Sequence, residues 1–253
     1  MKITFLGTGT SQGVPIIGCQ CEICRSKDGK DKRLRSSILI EDDGQTFVID
    51  TGPDFREQML RENVRRLDAA IYTHEHRDHI AGLDDIRGFN FVMNKAIDVY
   101  ADSNVENAIR KMYPYIFSEE KYPGIPEINL HHIDGKPFTI GTTKFIPIQV
   151  MHHKLPVWGY RIGNFTYITD ANFIAKAEKE KIKGSEILVL NALRKEKHIS
   201  HFTLEEAITM ARELAVQQVY LTHISHQLGK HADVEKELPE GIHLAYDGQV
   251  IKF

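Results

Sequence analysis

The sequence predicts an α/β fold in which two mixed β-sheets pack together and are covered by helices. Short runs rich in Val, Ile, Phe and Tyr recur along the chain, each near Gly, Asp or Pro, as expected of strands bounded by turns. Many strands come first and helical patterns are interspersed between the later ones, an order that favours layered sheets. With 42% hydrophobic and 26% charged residues, the chain can bury a sizeable core.

The individual elements follow from these patterns. The runs that predict strands are Ile3–Leu6, Ser37–Ile40, Thr46–Ile49, Ala69–Tyr72, Val99–Ala101, Lys144–Val150, Gly159–Ile162, Thr166–Thr169, Ile187–Leu190, Val219–Leu221 and Val250–Phe253. The predicted helices are Asp54–Glu62, Asn104–Met112, Ala175–Lys181 and Leu204–Leu214. The last is the clearest, because its apolar residues share one face and Thr203 is a plausible N-cap with Glu206 three residues on.

Length and charge set limits on the function. We predict one domain spanning residues 1–253, because α/β domains often exceed the roughly 100–200 residues of a typical domain. The net charge of −3 supplies no broad basic field for long nucleic acid, so a small substrate is expected and nucleic acid is not. The N-terminal apolar run is too short for a signal peptide, and no run approaches the ~18 residues of a membrane span. We therefore expect a cytoplasmic location and no membrane partner, and the oligomeric state stays open, a homodimer included.

The segment from Thr73 to His79 contains an HxHxDH motif directly after a predicted strand. In extended backbone His74 and His76 project to the same side and can share one metal ion. Asp78 and His79 then need a bend, which aims them at a second metal position. Imidazole and carboxylate ligands suit Zn, Mn or Fe rather than Ca. A solvated polar loop is the alternative interpretation.

Four ligands cannot complete two coordination spheres, so more are expected at strand ends, where active-site groups of layered α/β folds project. Three residues follow predicted strands in this way, namely His152, Asp170 and His223. His153 competes with His152 for the ligand role, and the spacing to Gly159 favours His152. The remaining histidines without a partner pattern are interpreted as surface or strand-edge residues, namely His131, His132, His231 and His243.

The cysteines form a second cluster. Cys19, Cys21 and Cys24 lie within six residues, and an odd number so closely spaced is a poor disulfide framework. Three thiolates suit a structural zinc, which needs a fourth ligand to close its tetrahedron. His226 is the candidate, three residues after His223. We predict one structural Zn in an insertion at about residues 15–30, with a redox thiol pair or plain loop cysteines as alternatives.

The strand-end residues and the HxHxDH motif together resemble the ligand set of the metallo-β-lactamase superfamily, in order and context, over essentially the whole chain. This resemblance implies a four-layer αββα sandwich and two divalent ions, Mn or Zn. It implies that one ion takes His74, His76 and His152, that the other takes Asp78, His79 and His223, and that Asp170 bridges them. Asp50 matches an early strand-end Asp that orients ligands. True β-lactamases carry Cys where this chain has Asp170, and they are exported, so lactam hydrolysis is disfavoured.

A narrower resemblance rests on the combination of Gly7-Thr8-Gly9-Thr10-Ser11, the cysteine cluster, the HxHxDH motif and His223-x-x-His226. This combination is similar to the PhnP family of phosphoribosyl cyclic phosphate phosphodiesterases. It implies hydrolysis of a small, cyclic ribose phosphodiester to a phosphomonoester. PqqB-type proteins share a cysteine-rich insertion, so the cysteines alone do not fix the substrate.

A cyclic sugar phosphate has a poor leaving group that needs a proton. His201 lies just before the helix capped by Thr203 and is predicted to supply it, and the resemblance points to the same residue. Asp78, as a metal ligand, and His201 are therefore the predicted catalytic residues, whereas His198 is interpreted as a loop residue. Cations that suit a terminal phosphate, none individually assigned, are Arg35, Arg56, Lys154 and Arg194.

Two other functions compete with this interpretation. A tRNA-processing nuclease of the same superfamily would need a basic appendage, which neither the net charge nor a spare segment supplies. A PqqB-like non-catalytic or carrier protein would normally have lost some ligands, whereas this chain keeps the whole set.

Overall fold

The computed structural model describes residues 1–120 and 122–253, and the chain divides into two compact units. Unit 1 comprises residues 1–7, 35–134 and 248–253, and unit 2 comprises residues 8–34 and 135–247. Each unit contains one β-sheet that has both parallel and antiparallel strand pairs, together with helices. The predicted α/β class with two mixed sheets is therefore confirmed.

The elements are numbered in chain order. The strands of the described residues are β1 (Lys2–Gly7), β2 (Ser37–Asp42), β3 (Gln45–Ile49), β4 (Ala69–Ile71), β5 (Ile97–Ala101), β6 (Ile128–His132), β7 (Phe138–Ile140), β8 (Thr143–His152), β9 (Leu155–Ile162), β10 (Phe165–Tyr167), β11 (Phe173–Ile174), β12 (Ile187–Asn191), β13 (Gln218–Thr222), β14 (Ile242–Leu244) and β15 (Val250–Lys252). The α-helices are α1 (Phe55–Arg61), α2 (Arg77–Ile80), α3 (Arg87–Met93), α4 (Ser103–Met112), α5 (Lys176–Ile182), α6 (Leu204–Leu214) and α7 (His231–Glu237). Short 3₁₀ helices span Gly29–Asp31, Leu83–Ile86 and Pro114–Phe117.

The sheet of unit 1 has the strand order β15-β1-β2-β3-β4-β5-β6. It is antiparallel from β15 to β3 and parallel from β3 to β6. Helices α1 to α4 contribute to one buried apolar cluster with this sheet, in which Phe55 and Ile109 of the helices join Val48 and Val99 of the strands. This packing fixes the carboxyl ends of β3 and β4 relative to α1 and α2.

The sheet of unit 2 has the order β11-β8-β9-β10-β12-β13-β14, and β7 pairs with β8 beside this path. It is antiparallel from β11 to β10 and parallel from β10 to β14. Helix α6 buries Ala207 and Ala211 against strand residues such as Val150 and Leu190. The helix begins with a complete capping box between Thr203 and Glu206, as the sequence predicts.

Three polar residues that follow strands adopt a left-handed backbone. The φ angles are +65° for Asp50, +56° for Asp170 and +55° for His223. Non-glycine residues reach this conformation at a cost of about 1–3 kcal/mol, and such strain persists where the surrounding structure enforces it, commonly at functional sites. The backbone thus turns sharply at Asp50, Asp170 and His223, which all follow predicted strands.

The predicted strands and helices are all present, with ends shifted by a few residues. The structure adds elements that the sequence patterns did not reveal, namely β6, β7, β11, β14, α2, α3 and α7. The added helices span only four to seven residues. Helix α2 has only four residues. Helix α3 buries only Phe89, and α7 buries only Val234 among its apolar residues, so none of the three shows a repeated apolar period. None of the helices that the structure describes has the length and apolar character needed to cross a membrane.

The interpretation of His231 as a surface or strand-edge histidine is wrong. His231 begins α7 and is buried, with 5% of its surface exposed. Its Nδ1 accepts a hydrogen bond from the buried guanidinium of Arg33 at 3.2 Å. Burial and the charge of Arg33 lower the pKa of His231 to about 4. His231 therefore serves as a neutral acceptor inside unit 2, a role that leaves no mark in the local sequence.

Two glycines allow the chain to cross closely beside the HxHxDH turn. A Cβ atom on Gly52 would lie 2.1 Å from the carbonyl oxygen of Asp78, and one on Gly82 would lie 2.1 Å from the carbonyl oxygen of Gly52. The backbone N–H of Gly82 also donates to the carbonyl of Thr51 at 2.8 Å. Any side chain at these positions would push the loop after β3 away from α2.

We therefore expect Gly82→Ala to lower the melting temperature by several degrees, because overpacking of this kind typically costs about 1–3 kcal/mol. Gly88→Ala is the matched control, since a Cβ on Gly88 meets no heavy atom within 4 Å and alanine favours the helix α3. Thermal unfolding of both variants is the measurement. Equal melting temperatures would show that the turn tolerates a side chain and would contradict the close-packing argument.

Candidate metal centres

Unit 1 gathers the four residues of the HxHxDH motif after β4, with His74 and His76 in the turn and Asp78 and His79 in α2. The ring centroid of His74 lies 4.6 Å from that of His76 and 4.2 Å from that of His79. The Nε2 atom of His79 is 3.1 Å from a carboxylate oxygen of Asp78. Helix α2 supplies the bend that the sequence predicts after His76. Unit 1 thus presents three imidazoles and one carboxylate at one place.

The buried carboxylate of Asp50 determines which ring nitrogens face this place. It accepts hydrogen bonds from the backbone N–H of Thr73 at 2.9 Å, the Thr73 hydroxyl at 2.8 Å and Nδ1 of His79 at 2.7 Å. Because the Thr73 hydroxyl gives its proton to Asp50, its oxygen accepts from Nδ1 of His74 at 2.9 Å. Neutral rings that donate through Nδ1 carry their lone pair on Nε2, the arrangement of histidines that bind metals.

Burial raises the pKa of Asp50, and its hydrogen-bond donors act against this effect. The His79 ring and the Thr73 N–H both favour the ionised carboxylate. Since three donors converge on the two carboxylate oxygens, the charged form is the one that satisfies all of them.

Unit 2 gathers a second set. One ligand atom from each of His152, Asp170 and His201 lies within 4.8 Å of the other two. His223 joins them, because its Nδ1 is 2.9 Å from Asp170 and its ring stacks on that of His201 with 4.8 Å between centroids. The Nδ1 of His152 donates to the carbonyl oxygen of Ser200 at 2.9 Å, so its lone pair is also on Nε2.

The structure separates His152 from its neighbour. His152 is buried at the end of β8, whereas His153 is exposed at the hairpin turn to β9 with a φ of +57°. The geometry of unit 2 therefore supports the preference for His152 as a ligand.

His201 is almost entirely buried, with 8% of its surface exposed. Its Nδ1 has no hydrogen-bond partner among the described residues. Burial, followed by the neighbouring His223, lowers the pKa of His201 to about 3, and Asp170 acts in the opposite direction. The ring is neutral at pH 7 under these conditions. A bound anionic phosphate would act in the same direction as Asp170 and raise this pKa.

The cysteine cluster of unit 2 has the geometry of a tetrahedral site. The sulfur atoms of Cys19, Cys21 and Cys24 lie 3.5, 3.3 and 3.5 Å from Nδ1 of His226. One ring nitrogen has at most one proton and cannot donate to three sulfurs. In a tetrahedral zinc site with Zn–S of ~2.3 Å and Zn–N of ~2.0–2.1 Å, sulfur and nitrogen are about 3.5 Å apart. The observed spacing therefore fits a central zinc ion.

Backbone amides support the thiolates of this cluster. The N–H of Cys24 points at Cys21 Sγ and that of Ile16 at Cys24 Sγ, both at 3.4 Å. The N–H of Cys24, followed by His226, lowers the pKa of Cys21 to about 6, whereas burial raises that of Cys24 to about 11. A zinc ion would hold both as thiolates, and all three cysteines are free of disulfides.

The other residues named from the sequence lie in different surroundings. Arg35 pairs with Asp54 at 2.8 Å, and Arg194 donates to Gln227 and to backbone carbonyls. His131 lies on the edge strand β6 beside Asp98, and His243 on β14 contacts Glu235. Three other residues named from the sequence are exposed, namely Arg56, Lys154 and His132. His198 is half-buried, and its ring centroid is 5.1 Å from that of His201.

The sequence analysis missed the residues that orient the histidines. Thr73 and Ser200 act through a hydroxyl and a backbone carbonyl. The side-chain amide of Asn191 holds the turn after Asp170, and that of Asn172 accepts from the backbone N–H of His153. Only Thr73 carried a signal, since it adjoins the motif and follows a strand. The contact of Ser200 with His152 joins residues 48 positions apart, which no local pattern reveals.

The chain is similar to several known proteins. The Beta-lactamase superfamily domain matches residues 45–224. A crystal structure described as a new diphosphatase from the PhnP family is 40% identical, covers 100% of this chain and 97% of that chain, and superposes with a TM-score of 0.93. An octanoyltransferase of Porphyromonas gingivalis is 41% identical over 98% of this chain and 51% of its own length. A ribonuclease Z of Nostoc punctiforme is 27% identical over 64% of this chain and 47% of its own length. The chain thus spans about half the length of these curated relatives.

For the cysteine cluster we expect Cys21→Ser to remove about one zinc per chain and to lower thermal stability, because a structural zinc contributes its binding free energy to folding. Elemental analysis and thermal unfolding measure the two effects. Glu22→Gln is the control, since Glu22 is exposed in the same loop and pairs with Lys230. Unchanged zinc content and stability in Cys21→Ser would rule out the structural site.

Proposed function

Because this chain belongs to the β-lactamase superfamily and, within it, to the PhnP family, we propose that it is a metal-dependent hydrolase that cleaves a small phosphodiester. One observation carries the proposal. His74, His79 and His152 each donate through Nδ1 to an acceptor of the protein, namely Thr73, Asp50 and Ser200. Histidines held in this manner offer Nε2 to a metal ion.

The ligand assignment follows the family. By resemblance to the family, one ion would be held by His74, His76 and His152 and the other by Asp78, His79 and His223. Asp170 would serve as a ligand shared by both. This arrangement requires both units to act as one hydrolase domain over residues 1–253. The grouping within each unit supports it, as does the left-handed backbone at Asp170 and His223. Mn and Zn both suit the donor set of imidazole and carboxylate.

The chemistry divides between the ions and the chain. Two divalent ions at such a site activate a water molecule and neutralise charge on the phosphoryl group. Asp50 and Thr73 hold His79 and His74 in one orientation, and Ser200 does the same for His152. Asp78 contributes to catalysis through its carboxylate at the second ion.

His201 delivers a proton to the departing oxygen. Its ring lies beside Asp170 and His152, which would hold the ions that face the phosphate. Burial and the neighbouring His223 lower the pKa of the ring, and the negative charge of a bound phosphate would raise it. A sugar oxygen is a poor leaving group, so it gains most from such a donor.

A cyclic ribose phosphodiester is the substrate that we propose, by resemblance to the PhnP family. A diphosphate is the second candidate, because the PhnP-family structure that is 40% identical is described as a diphosphatase. The two differ in their leaving group. A phosphate departs readily as an anion, whereas a sugar oxygen needs a proton, so dependence on His201 distinguishes them.

The other activities are less well supported. The octanoyltransferase match covers 51% of that protein, so its name does not carry acyl transfer to this chain. The similarity to a ribonuclease Z is consistent with the alternative of a nuclease. A net charge of −3, however, does not favour a nucleic acid substrate. A carrier role is disfavoured because the full ligand set is present. A cytoplasmic location and a homodimer stay predictions.

We expect His201→Ala to lower kcat/KM for a ribose cyclic phosphate by about 10²–10⁴-fold, the usual contribution of general acid catalysis. Turnover of a bis-nitrophenyl phosphate should change by less than about 3-fold, since nitrophenolate leaves without a proton. The measurement is kcat/KM for both substrates at matched metal content.

His198→Ala is the control for this experiment, because it removes a neighbouring histidine of the same loop. It should leave both substrates nearly unaffected. Equal losses on the two substrates in His201→Ala would mean that His201 binds phosphate or supports the ligands instead of donating a proton.

A further inference from the structure

The loop that carries His201 is anchored at several points in unit 2. The carbonyl oxygen of Ser200 accepts from Nδ1 of His152 at 2.9 Å. The N–H of Phe202 donates to the carbonyl oxygen of Ala171 at 2.8 Å. The carbonyl oxygen of Ile199 accepts from the side-chain amide of Asn172 at 3.2 Å. The first of these bonds uses the side chain of a proposed ligand, and the second joins two backbone groups. Only the third uses the side chain of a residue that is not a proposed ligand, namely Asn172.

Asn172 also holds the turn that follows His152. Its Oδ1 accepts from the backbone N–H of His153 at 2.8 Å, and its own backbone N–H donates to the carbonyl of Met151 at 2.8 Å. One amide therefore joins two loops, with its oxygen toward the loop of His152 and its nitrogen toward the loop of His201. Two positions before it lies Asp170, the third residue of the cluster.

The backbone between Asp170 and Asn172 is itself rigid. The buried Asn191 side chain accepts from the N–H of Ala171 at 2.8 Å and donates to its carbonyl oxygen at 2.9 Å. A residue that projects from this fixed turn can set the position of a neighbouring loop. By contrast, Ile199 is 68% exposed, so packing does little to hold that part of the loop.

We propose that Asn172 is a positioning residue that sets the place of His201 relative to His152 and Asp170, and so controls proton delivery to the leaving group. The consequence for catalysis rests on the function proposed above. Asn172 does not act on the reacting atoms. It acts through the carbonyl of Ile199, two residues before His201, and through the N–H of His153.

The two ends of the amide can be tested separately. Asn172→Asp is isosteric and keeps an acceptor for the His153 N–H, but it replaces the donor to Ile199 with an oxygen that repels the carbonyl. Asn172→Ala removes both bonds. The first change should loosen the loop of His201 alone, and the second should loosen both loops.

For Asn172→Asp we expect kcat/KM for a ribose cyclic phosphate to fall about 10-fold or more, with bis-nitrophenyl phosphate turnover and metal content within about 3-fold of the parent protein. The same substitution in a His201→Ala background should have no further effect, because a residue that acts through His201 has nothing left to position. A merely structural residue would instead give the same fold-loss in both backgrounds and on both substrates.

Asn90→Asp is the matched control. Asn90 forms the same kind of clamp in unit 1, donating to the carbonyls of Lys95 and Glu127 and accepting from the N–H of Glu127. It measures what an amide-to-acid exchange costs in stability without touching the loop of His201. Asn172→Ala avoids the added charge and serves if the acid variant fails to fold.

NMR of the His201 ring tests the positioning role of Asn172 without relying on turnover. The ring resonances of His201, assigned by comparison with His201→Ala, should shift or broaden in Asn172→Asp and not in Asn90→Asp. If the parent protein fails to hydrolyse the cyclic phosphate but these resonances respond, the substrate is wrong and the positioning role stands. Unchanged resonances together with additive losses in the double variant would overturn the positioning role.

Discussion

The hydrogen bonds accepted by the buried carboxylate of Asp50 set the orientation of the histidine rings in unit 1. Asp50 lies at the end of β3 in a strained left-handed conformation and accepts three hydrogen bonds. Through one it orients His79 directly, and through the Thr73 hydroxyl it orients His74. A buried charge is costly unless it is fully hydrogen-bonded. The Asp50 carboxylate and its donors, Thr73 and His79, therefore stabilise each other. Two glycines let the backbone come close enough for this contact.

In unit 2 the histidine rings and their loops are held by uncharged hydrogen-bonding groups. Asn191 clamps the turn after β10, and Asn172 ties the loops of His152 and His201 to this turn. The carbonyl of Ser200 accepts from His152 and so joins these two loops to each other. In both units the proposed metal ligands lie at or shortly after strand ends. The stable sheets and helices hold the strand ends, and short hydrogen-bonded turns set the side chains. Such division places functional groups on rigid supports.

Most strands, several helices and the two groups of candidate metal ligands could be predicted from the sequence. The strands and long helices follow from apolar periodicity, and the HxHxDH motif and the three cysteines identify themselves by spacing alone. Helices α2, α3 and α7 were not predicted, because α2 has only four residues and the other two lack a buried apolar face. Helix α3 exposes Phe91 and Val92, and α7 buries only Val234 among its apolar residues. Second-sphere contacts such as Ser200 with His152, and the burial of His231 against Arg33, join residues far apart in the chain. They depend on tertiary packing and have no local signature.

The proposed hydrolysis of a cyclic ribose phosphodiester requires water and two divalent ions. It can be tested by phosphorus NMR of the reaction in ¹⁸O-labelled water, with metal-depleted protein titrated with Mn or Zn. We expect a ribose phosphomonoester that carries one ¹⁸O on phosphorus, and a rate that saturates near two ions per chain beyond the proposed structural zinc. No turnover of the cyclic phosphate with either metal, or equal turnover after metal removal, would contradict it.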